Sequence, residues 1–326
     1  MNDKNQLSIS ICLATKDRKK HIHNFVDHLS KIVTKKIEIV IVDGSEVYDK
    51  KIEEISNKNS FITLQYIHNN SDTGLDKAYD TAVRNASGEY CWLATDDDIP
   101  DSDILKHISK HIISRKDLYI LNTRIMCSKL EKTLESNRLR LEKNIEFYHK
   151  QGDKFDENLL WQLSFIGCIL ISREHWINID AKIYHGCYFS HIASIFNTSK
   201  TISIMVISKP VISIRINNET WRSNHLKLWH YYWPRITSMI SKGFTEICKD
   251  VVIDDISFRV ILKYYILNKL ENTKVFKMNL FLIFKIKFVR LLPKNIIRSL
   301  SLLYAQVRNN SKLEYIIKET SIDEKI

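Results

Sequence analysis

Residues 90–100 read YCWLATDDDIP, an apolar run that ends at Thr95 and three consecutive aspartates. A short apolar run of this kind, here Tyr90–Ala94, predicts a buried β-strand. Three adjacent carboxylates repel one another unless a cation or water screens them. The carboxyl ends of strands are where open α/β sheets bind ligands. The stretch therefore predicts a buried strand with a ligand site at its end.

Four further strand candidates lie on both sides of this one and alternate with stretches of helical periodicity. The strand candidates are Ser8–Leu13, Ile37–Val42, Ile62–Ile67 and Leu118–Asn122. The helical candidates are Arg18–Val33, Asp49–Asn57, a stretch from Thr73 to about Asn85, and one that begins at Pro100 and Asp101. Strands that alternate with helices at this spacing predict βαβ units, and so an α/β fold with a mainly parallel sheet.

The pattern changes after residue 125. Residues 128–160 are polar and predict a helical or irregular excursion, and Ser164–Ser172 is again strand-like. Ile202–Ile207 and Val211–Ile216 flank Pro210, and we expect them to pair as two short strands. From Trp221 onwards the spacing of apolar residues predicts helices, so we expect a boundary near residue 220.

Composition excludes several classes of protein. The chain has seven glycines and contains neither GxxxxGK[ST] nor GxGxxG, which argues against P-loop NTPases and the standard dinucleotide fold. Its six cysteines form no CxxC pair, so cysteine ligation of zinc or iron–sulfur clusters is not expected. Cys12 and Cys91 lie in apolar runs and predict buried thiols, which suit a reducing cytoplasm. The first residues do not have the pattern of a signal peptide.

The excess of positive charge is confined to one segment. The chain has 49 Lys and Arg against 38 Asp and Glu, and residues 256–312 contain 12 basic residues and one acid, Glu271. The basic residues are interspersed with Phe, Leu and Ile. This mixture predicts helices that have a broad apolar face and a basic rim and that lie at an anionic membrane surface. The alternative is a helical cap on the rest of the protein. Nucleic-acid binding is not expected, because the aromatic residues fall within apolar runs.

Polar side chains follow each of the first four strands. Thr15 and Arg18 follow the first strand, Asp43 follows the second, and residues 69–77 (NNSDTGLDK) follow the third. Together with Asp96, Asp97 and Asp98, these residue types suit a site for phosphate, ribose and a hard cation such as Mg²⁺ or Mn²⁺. The alternatives are a turn residue at Asp43 and a solvated acidic loop that caps the following helix.

Four blocks in this order resemble the nucleotide-sugar half of family-2 glycosyltransferases, which have the GT-A fold. They read SISICLATKDR, IEIVIVDGS, NNSDTGLDKAYDTAVRNASGEY and CWLATDDDIP, and the resemblance covers residues 7–125. The later SFIGCILISREHW, YHGCYFSHIASI and VISIRINNETW are similar to an abequosyltransferase-like subgroup that builds bacterial O-antigen or capsule. The resemblance implies a GT-A domain over 1–220, with nucleotide-sugar binding in 1–125 and the acceptor side in 126–220. Residues 221–326 would form a basic helical, membrane-surface region.

The resemblance also assigns donor-binding roles. Thr15 and Asp43 would hold the nucleoside, Lys77 would face the diphosphate with Arg18 adding positive charge, and Gly74 would allow close approach.

The family's metal motif is Asp-x-Asp, and its register is open here. Asp96 and Asp98 match directly, whereas alignment on Ile99 favours Asp97 and Asp98. We expect Asp98 and Asp96 as ligands of Mn²⁺ or Mg²⁺, with Asp96 or Asp97 nearer the ribose.

Family members commonly place a catalytic Asp, often in a Glu-Asp pair, about 90 residues beyond the metal motif. This chain has His191 at that distance, which we expect as general base because an ordinary histidine titrates near neutral pH. Asp180 and Glu174 are weaker candidates, and the alternative for His191 is a structural histidine. For sugar stacking we expect Trp161, Trp176 and Trp221. Arg215 and Asn218 would close the site.

The sequence thus predicts an inverting, metal-dependent glycosyltransferase on the inner face of the cell membrane, acting on a lipid-linked saccharide acceptor. Two alternatives remain at this point. A sugar nucleotidyltransferase would be expected to carry an early glycine-rich basic loop, and ATKDRKK has no glycine. A non-catalytic membrane-associated scaffold with a degenerate transferase fold would account for the missing Asp base.

Overall fold

A computed structural model describes residues 8–70, 74–216, 225–242, 261–262, 280–307 and 311–319. Within these residues, ten strands form one sheet in the order β3-β2-β1-β4-β9-β6-β10-β5, with β7 beside β6 and β8 beside β10. The strands are β1 (Ile9–Thr15), β2 (Ile37–Asp43), β3 (Ile62–His68), β4 (Tyr90–Ala94), β5 (Ile99–Pro100), β6 (Leu118–Met126), β7 (Thr133–Glu135), β8 (Ile145–His149), β9 (Ile169–Ser172) and β10 (Ile202–Arg215).

Helices lie on both faces of the sheet. The first seven are α1 (Lys19–Ile32), α2 (Lys50–Ser56), α3 (Leu75–Asn85), α4 (Ile104–Ile112), α5 (Glu157–Leu163), α6 (Arg173–Ile177) and α7 (Ser190–Phe196). Helix α8 joins His225–Lys227, a π-helical stretch Leu228–Tyr232, and Trp233–Lys242. The last three are α9 (Leu280–Arg290), α10 (Lys294–Val307) and α11 (Ser311–Glu319). The expected C-terminal helical segment is thereby confirmed.

The half of the sheet built from β3, β2, β1 and β4 is parallel, as expected from the alternation of strands and helices. Strand β9 then pairs antiparallel with both β4 and β6, so the whole sheet is mixed. Residues 128–160, where the sequence predicted a helical or irregular excursion, contribute the short strands β7 and β8 and the start of helix α5. The α/β fold class with flanking helices is confirmed.

The expected pair of short strands around Pro210 is wrong, because β10 is one strand that pairs parallel with β6 along its length. The register of β10 against β6 shifts on both sides of Pro210. Proline has no N–H to donate to the ladder, and such an irregularity accommodates it without ending the strand. This continuity carries Arg215 to the same region of the sheet as β5 and the aspartates before it.

Both faces of the sheet are covered by helices and buried. Successive strand residues point to opposite sides, so each strand contributes to both cores. Ile11 and Leu13 pack with Trp92 in a core beneath α1, α2 and α4. Cys12 lies on the other side, in a core that α3, α5, α6, α7 and α8 complete. Residues of α8 and α9 belong to that second core, so it continues past residue 220. The domain boundary near residue 220 itself stays a prediction, because residues 217–224 lie outside the described residues.

Candidate active site

The carboxyl ends of β2, β1 and β4 lie side by side at one edge of the sheet. Backbone hydrogen bonds continue across this edge beyond the strands. The N–H of Gly44 donates to the Thr15 carbonyl at 2.9 Å, and the N–H of Asn69 donates to the Asp43 carbonyl at 2.8 Å. The segments that follow the strands are therefore held together as one surface, where the sequence placed the ligand site.

Arg18 binds two of the three consecutive aspartates. Its Nε donates to Asp96 Oδ1 at 3.0 Å, and its Nη2 lies 2.6 Å from Asp97 Oδ2. Thr15 Oγ1 donates to Asp96 Oδ2 at 2.7 Å. Burial raises the pKa of Asp96 to about 6, against the opposing effect of the Arg18 charge. Of the expected donor-site residues, the structure thus brings Thr15, Arg18, Asp96 and Asp97 into direct contact.

Asp98 is the most buried of the three aspartates. Its Oδ2 accepts a hydrogen bond from Thr95 Oγ1 at 2.6 Å, and its Oδ1 accepts one from the Arg215 backbone N–H at 2.8 Å. Burial, followed by the charge of Asp97, raises the pKa of Asp98 to about 8. A carboxylate in this position needs a nearby positive charge to remain ionised at neutral pH.

These residues fit a hard divalent cation. Asp98 and Asp96 or Asp97 would supply carboxylate oxygens, and a cation would offset both the burial and the mutual repulsion that raise the pKa values of Asp96 and Asp98. Within the part of the chain that the structure describes, no three His, Cys, Asp or Glu side chains are arranged as a metal cluster. A site with two protein carboxylates suits Mg²⁺ or Mn²⁺, which keep waters and bind substrate phosphates.

Arg215, which the resemblance predicts to close the site, lies beside the acidic cluster at the far end of β10. Besides its backbone bond to Asp98, its Nε donates to the Asp97 carbonyl at 3.2 Å and its Nη1 to the Ser128 carbonyl at 3.2 Å. The guanidinium therefore fixes the loop that carries the aspartates. Asn218 and Trp221, expected beside it, lie outside the described residues.

Asp43 is held by residues that sequence reasoning missed. Its Oδ1 accepts from the Ser45 backbone N–H at 2.8 Å, and its Oδ2 accepts from the Tyr66 hydroxyl at 2.5 Å. The rings of Tyr48 and Tyr66 lie 5.1 Å apart, and those of Tyr48 and His68 5.6 Å apart. Asp43 thus sits beside a small aromatic group, and Tyr66 belongs to β3, two residues before its end.

The first turn of α3 contains another residue that was missed, Asp76. Its buried carboxylate accepts from the backbone N–H groups of Gly186 and Tyr188, each at 2.9 Å, and from Ser190 Oγ at 2.8 Å. Three bonds to one carboxylate tie the loop before α7 to the start of α3. Tyr79, one turn later, donates to the Ala94 carbonyl at 2.7 Å and so holds the end of β4.

The predicted diphosphate side also lies at the start of α3. Gly74 has φ of 75°, which favours glycine, and a β-carbon added there would have no neighbour within 4 Å. Lys77 is exposed in the first helical turn. Helix N-termini present N–H groups and positive potential to anions, so the geometry fits a phosphate-binding role.

His191 lies in α7 and is buried, with 3% of its surface exposed. Its Nε2 lies 3.0 Å from the Leu163 carbonyl, a contact that requires the proton on Nε2 and leaves the lone pair on Nδ1. Burial lowers the pKa of the ring to about 4. These are features of a structural core histidine, and they make the ring a weak base. The catalytic role of His191 stays a prediction.

We expect His191→Gln to make the protein less sensitive to acid. Below its ordinary pKa of 6.5, the histidine of the unfolded chain binds a proton that the buried ring does not accept until about pH 4. The free energy of unfolding of the wild type therefore falls as the pH falls through this range, and His191 accounts for about 2 to 3 kcal/mol of that fall. Urea unfolding at about pH 7 and about pH 4.5 measures this difference in both proteins. An identical fall in the free energy of unfolding of wild type and His191→Gln between the two pH values would contradict this prediction.

The tryptophans expected to stack on sugars have different environments. Trp161 is half exposed in α5, with ring centroids 4.9 Å from Trp229 and 6.2 Å from Trp233. Trp176 is buried and donates from Nε1 to Asp80 Oδ1 at 3.0 Å, so the expectation of a sugar contact is wrong for Trp176. Trp161 is exposed enough to contact a sugar, and its stacking role stays a prediction.

Comparisons with known proteins agree with this geometry. Residues 10–174 match the model of glycosyl transferase family 2. The chain is 24% identical over 228 residues to the abequosyltransferase RfbV of Salmonella typhimurium. The aligned region covers 65% of this chain and 68% of RfbV. This match confirms the similarity to abequosyltransferases.

Among solved structures, this chain is similar to two crystal structures of residues 1–349 of TarS from S. aureus. One is the TarS complex with UDP-GlcNAc (TM-score 0.52) and the other is the TarS complex with UDP (TM-score 0.51). Both show 12% identity and cover 98% of this chain and 92% of TarS 1–349. At this identity the likeness concerns the fold, which it supports as GT-A. With the family match spanning half of the chain, the protein belongs to glycosyl transferase family 2 and is a glycosyltransferase.

Proposed function

We propose that this glycosyltransferase moves a sugar from a nucleotide-sugar donor to a glycan or lipid-linked acceptor in the synthesis of bacterial surface polysaccharide, O-antigen or capsule. The observation that carries the proposal is the meeting of Thr15, Asp43 and the acidic cluster at the carboxyl ends of adjacent strands. The similarity to an abequosyltransferase and to TarS, crystallised with UDP-GlcNAc, supports the donor class.

In this proposal Asp98 and Asp96 hold Mn²⁺ or Mg²⁺, and Asp97 is the alternative partner of Asp98. Arg18 binds both Asp96 and Asp97, but Asp96 also binds Thr15 and is the more buried of the two. The raised pKa values of Asp96 and Asp98 support a cation here, because both carboxyls lack full compensation of their charge. The bound cation would supply a Lewis acid that stabilises charge on the leaving diphosphate.

The chain's own residues bind and orient the donor. Asp43 and Thr15 face the nucleoside, and Gly74 lets the backbone approach the diphosphate. Lys77 and Arg18 add positive charge where negative charge develops. Tyr66 and Ser45 hold the Asp43 carboxylate in one orientation for this task.

The proposed reaction is a single displacement at the anomeric carbon, with inversion. The acceptor hydroxyl attacks, the bond to the diphosphate breaks, and a general base takes the hydroxyl proton. His191 is the predicted base, through Nδ1. Trp161 and Trp221 would contact the acceptor sugar, and Arg215 with Asn218 would close the site over the donor. Arg215 already binds the loop of the aspartates.

We further propose that the enzyme works at the inner face of the cell membrane as a peripheral protein, where a lipid-linked acceptor is found. The basic segment 256–312 supports this placement through its attraction to anionic lipid. Among the described residues, no helix combines the length and the apolar character needed to cross a bilayer.

A donor screen tests the proposed function. We expect one of UDP-, dTDP-, CDP- or GDP-sugars to raise the melting temperature in the presence of Mn²⁺, because a ligand that binds only the folded state stabilises it. The same donor should be hydrolysed slowly and transferred when a lipid-linked saccharide is added. A protein stabilised by none of these donors, with or without Mn²⁺, would contradict the proposal.

A further inference from the structure

Helix α9 exposes large apolar side chains on the side opposite to the one it buries. Phe284, Phe288 and Leu291, the last just beyond the helix, are spaced by four and three residues and are each more than half exposed. Ile286 and Val289 are buried in the core. A spacing of i, i+4 and i+7 places side chains on one face of a helix, so the exposed and buried sets occupy opposite faces.

Helix α10 repeats this arrangement over a longer stretch. Ile296, Leu300, Leu303 and Val307 follow at i, i+4, i+7 and i+11, and each is more than half exposed, up to 74% for Val307. Arg298 and Ala305 are buried on the other side of the helix. We call the seven exposed side chains of α9 and α10 the apolar stripe. Exposed apolar side chains in rows of this kind are typical of a binding surface for a membrane or another protein.

The charged residues within α9 and α10 are of one sign, and Arg298 among them is buried. Residues 280–307 contain five basic residues and no acidic residue. The basic residues are Lys285, Lys287, Arg290, Lys294 and Arg298. On α9, Lys287 lies one position before Phe288 and Lys285 one position after Phe284, so the two lysines flank the stripe on either side. Phe and Leu on one face with Lys at its edges is the composition of helices that bind anionic membrane interfaces.

We infer that the apolar stripe is a surface that docks the enzyme on an anionic lipid bilayer. The inference rests on the membrane placement in the proposed function and names the side chains that enter the bilayer. The described part of α9 has 11 residues, about 16 Å at 1.5 Å per residue, and we place it in the plane of the interface. Lys285 and Lys287 bind lipid headgroups while Phe and Leu enter the acyl boundary.

Vesicle sedimentation tests the inference with the full-length protein. Sucrose-loaded vesicles contain phosphatidylcholine alone or an equal mixture with phosphatidylglycerol. We expect wild type to pellet with the mixed vesicles, less so at high salt, and Leu300→Gln/Leu303→Gln to bind about tenfold more weakly. Glutamine keeps the charge and favours helix. The matched control is Val47→Gln/Ile113→Gln, which removes two exposed apolar side chains elsewhere and should bind as wild type does.

Each outcome of this experiment decides the inference. Equal sedimentation of the stripe variant and wild type overturns it, as does wild type that does not pellet with either vesicle. A wild-type dimer that the stripe variant dissociates, with unchanged vesicle binding, assigns the stripe to a second copy of the chain and also overturns it. Transfer to a water-soluble acceptor tests the proposed function separately, and the stripe variant should retain it.

Discussion

We expect Asp98→Asn to lower the rate of sugar transfer about a thousandfold, equivalent to about 4 kcal/mol of transition-state stabilisation. The amide keeps the shape of the side chain and removes the charge that the proposed cation requires. The fold should survive, because burial already raises the pKa of Asp98 to about 8 and a neutral group suits this position. Initial rates with saturating donor and Mn²⁺ measure the effect.

The control for this variant is Asp103→Asn. Asp103 belongs to the same acidic stretch, but its side chain is half exposed and bonds to Lys209 at the surface. We expect it to transfer sugar at the wild-type rate. If Asp98→Asn also kept that rate while melting normally, the metal role of Asp98 would be wrong.

We expect Arg18→Gln to have the largest effect on stability. The Arg18 side chain is 14% exposed and neutralises both Asp96 and Asp97, so its removal leaves two poorly hydrated carboxylates beside a third. Breaking such a pair costs about 3 kcal/mol in free energy of unfolding. The variant should also lose transfer activity, because Arg18 holds the aspartates in place.

The control for Arg18 is Arg115→Gln. Arg115 is 70% exposed and lies 4.0 Å from Glu89, a surface pair whose loss changes stability by less than about 1 kcal/mol. Mn²⁺ should restore part of the stability of Arg18→Gln, because it supplies positive charge to the same carboxylates. Urea unfolding with and without Mn²⁺ measures both effects. Equal stability of the Arg18 and Arg115 variants would contradict this account of the cluster.

The parallel half of the sheet and the site at its edge could be predicted from sequence because both depend on local patterns. Apolar runs such as Ile37–Val42 mark the strands, and the polar residues directly after them meet at one edge. Arg215 was expected at the site from the family resemblance, and β10 brings it there.

Other features depend on contacts between segments that are distant in the chain. Asp76 bonds to residues 110 to 114 positions later, and nothing in the local sequence indicates those partners. The antiparallel position of β9 between β4 and β6 is likewise a tertiary result. Sequence spacing placed His191 where a base was expected, but its burial and its bond to Leu163 became visible only in the folded chain.

The central claim is that the acidic cluster holds a divalent cation for a nucleotide-linked donor. Calorimetric titration of the diphosphate form of the nucleotide selected by the donor screen, with and without Mn²⁺, tests it most directly. We predict that Mn²⁺ strengthens nucleotide binding to wild type at least tenfold and leaves binding to Asp98→Asn unchanged. Nucleotide binding that is equally strong without Mn²⁺, or equally Mn²⁺-dependent in the variant, would contradict the account.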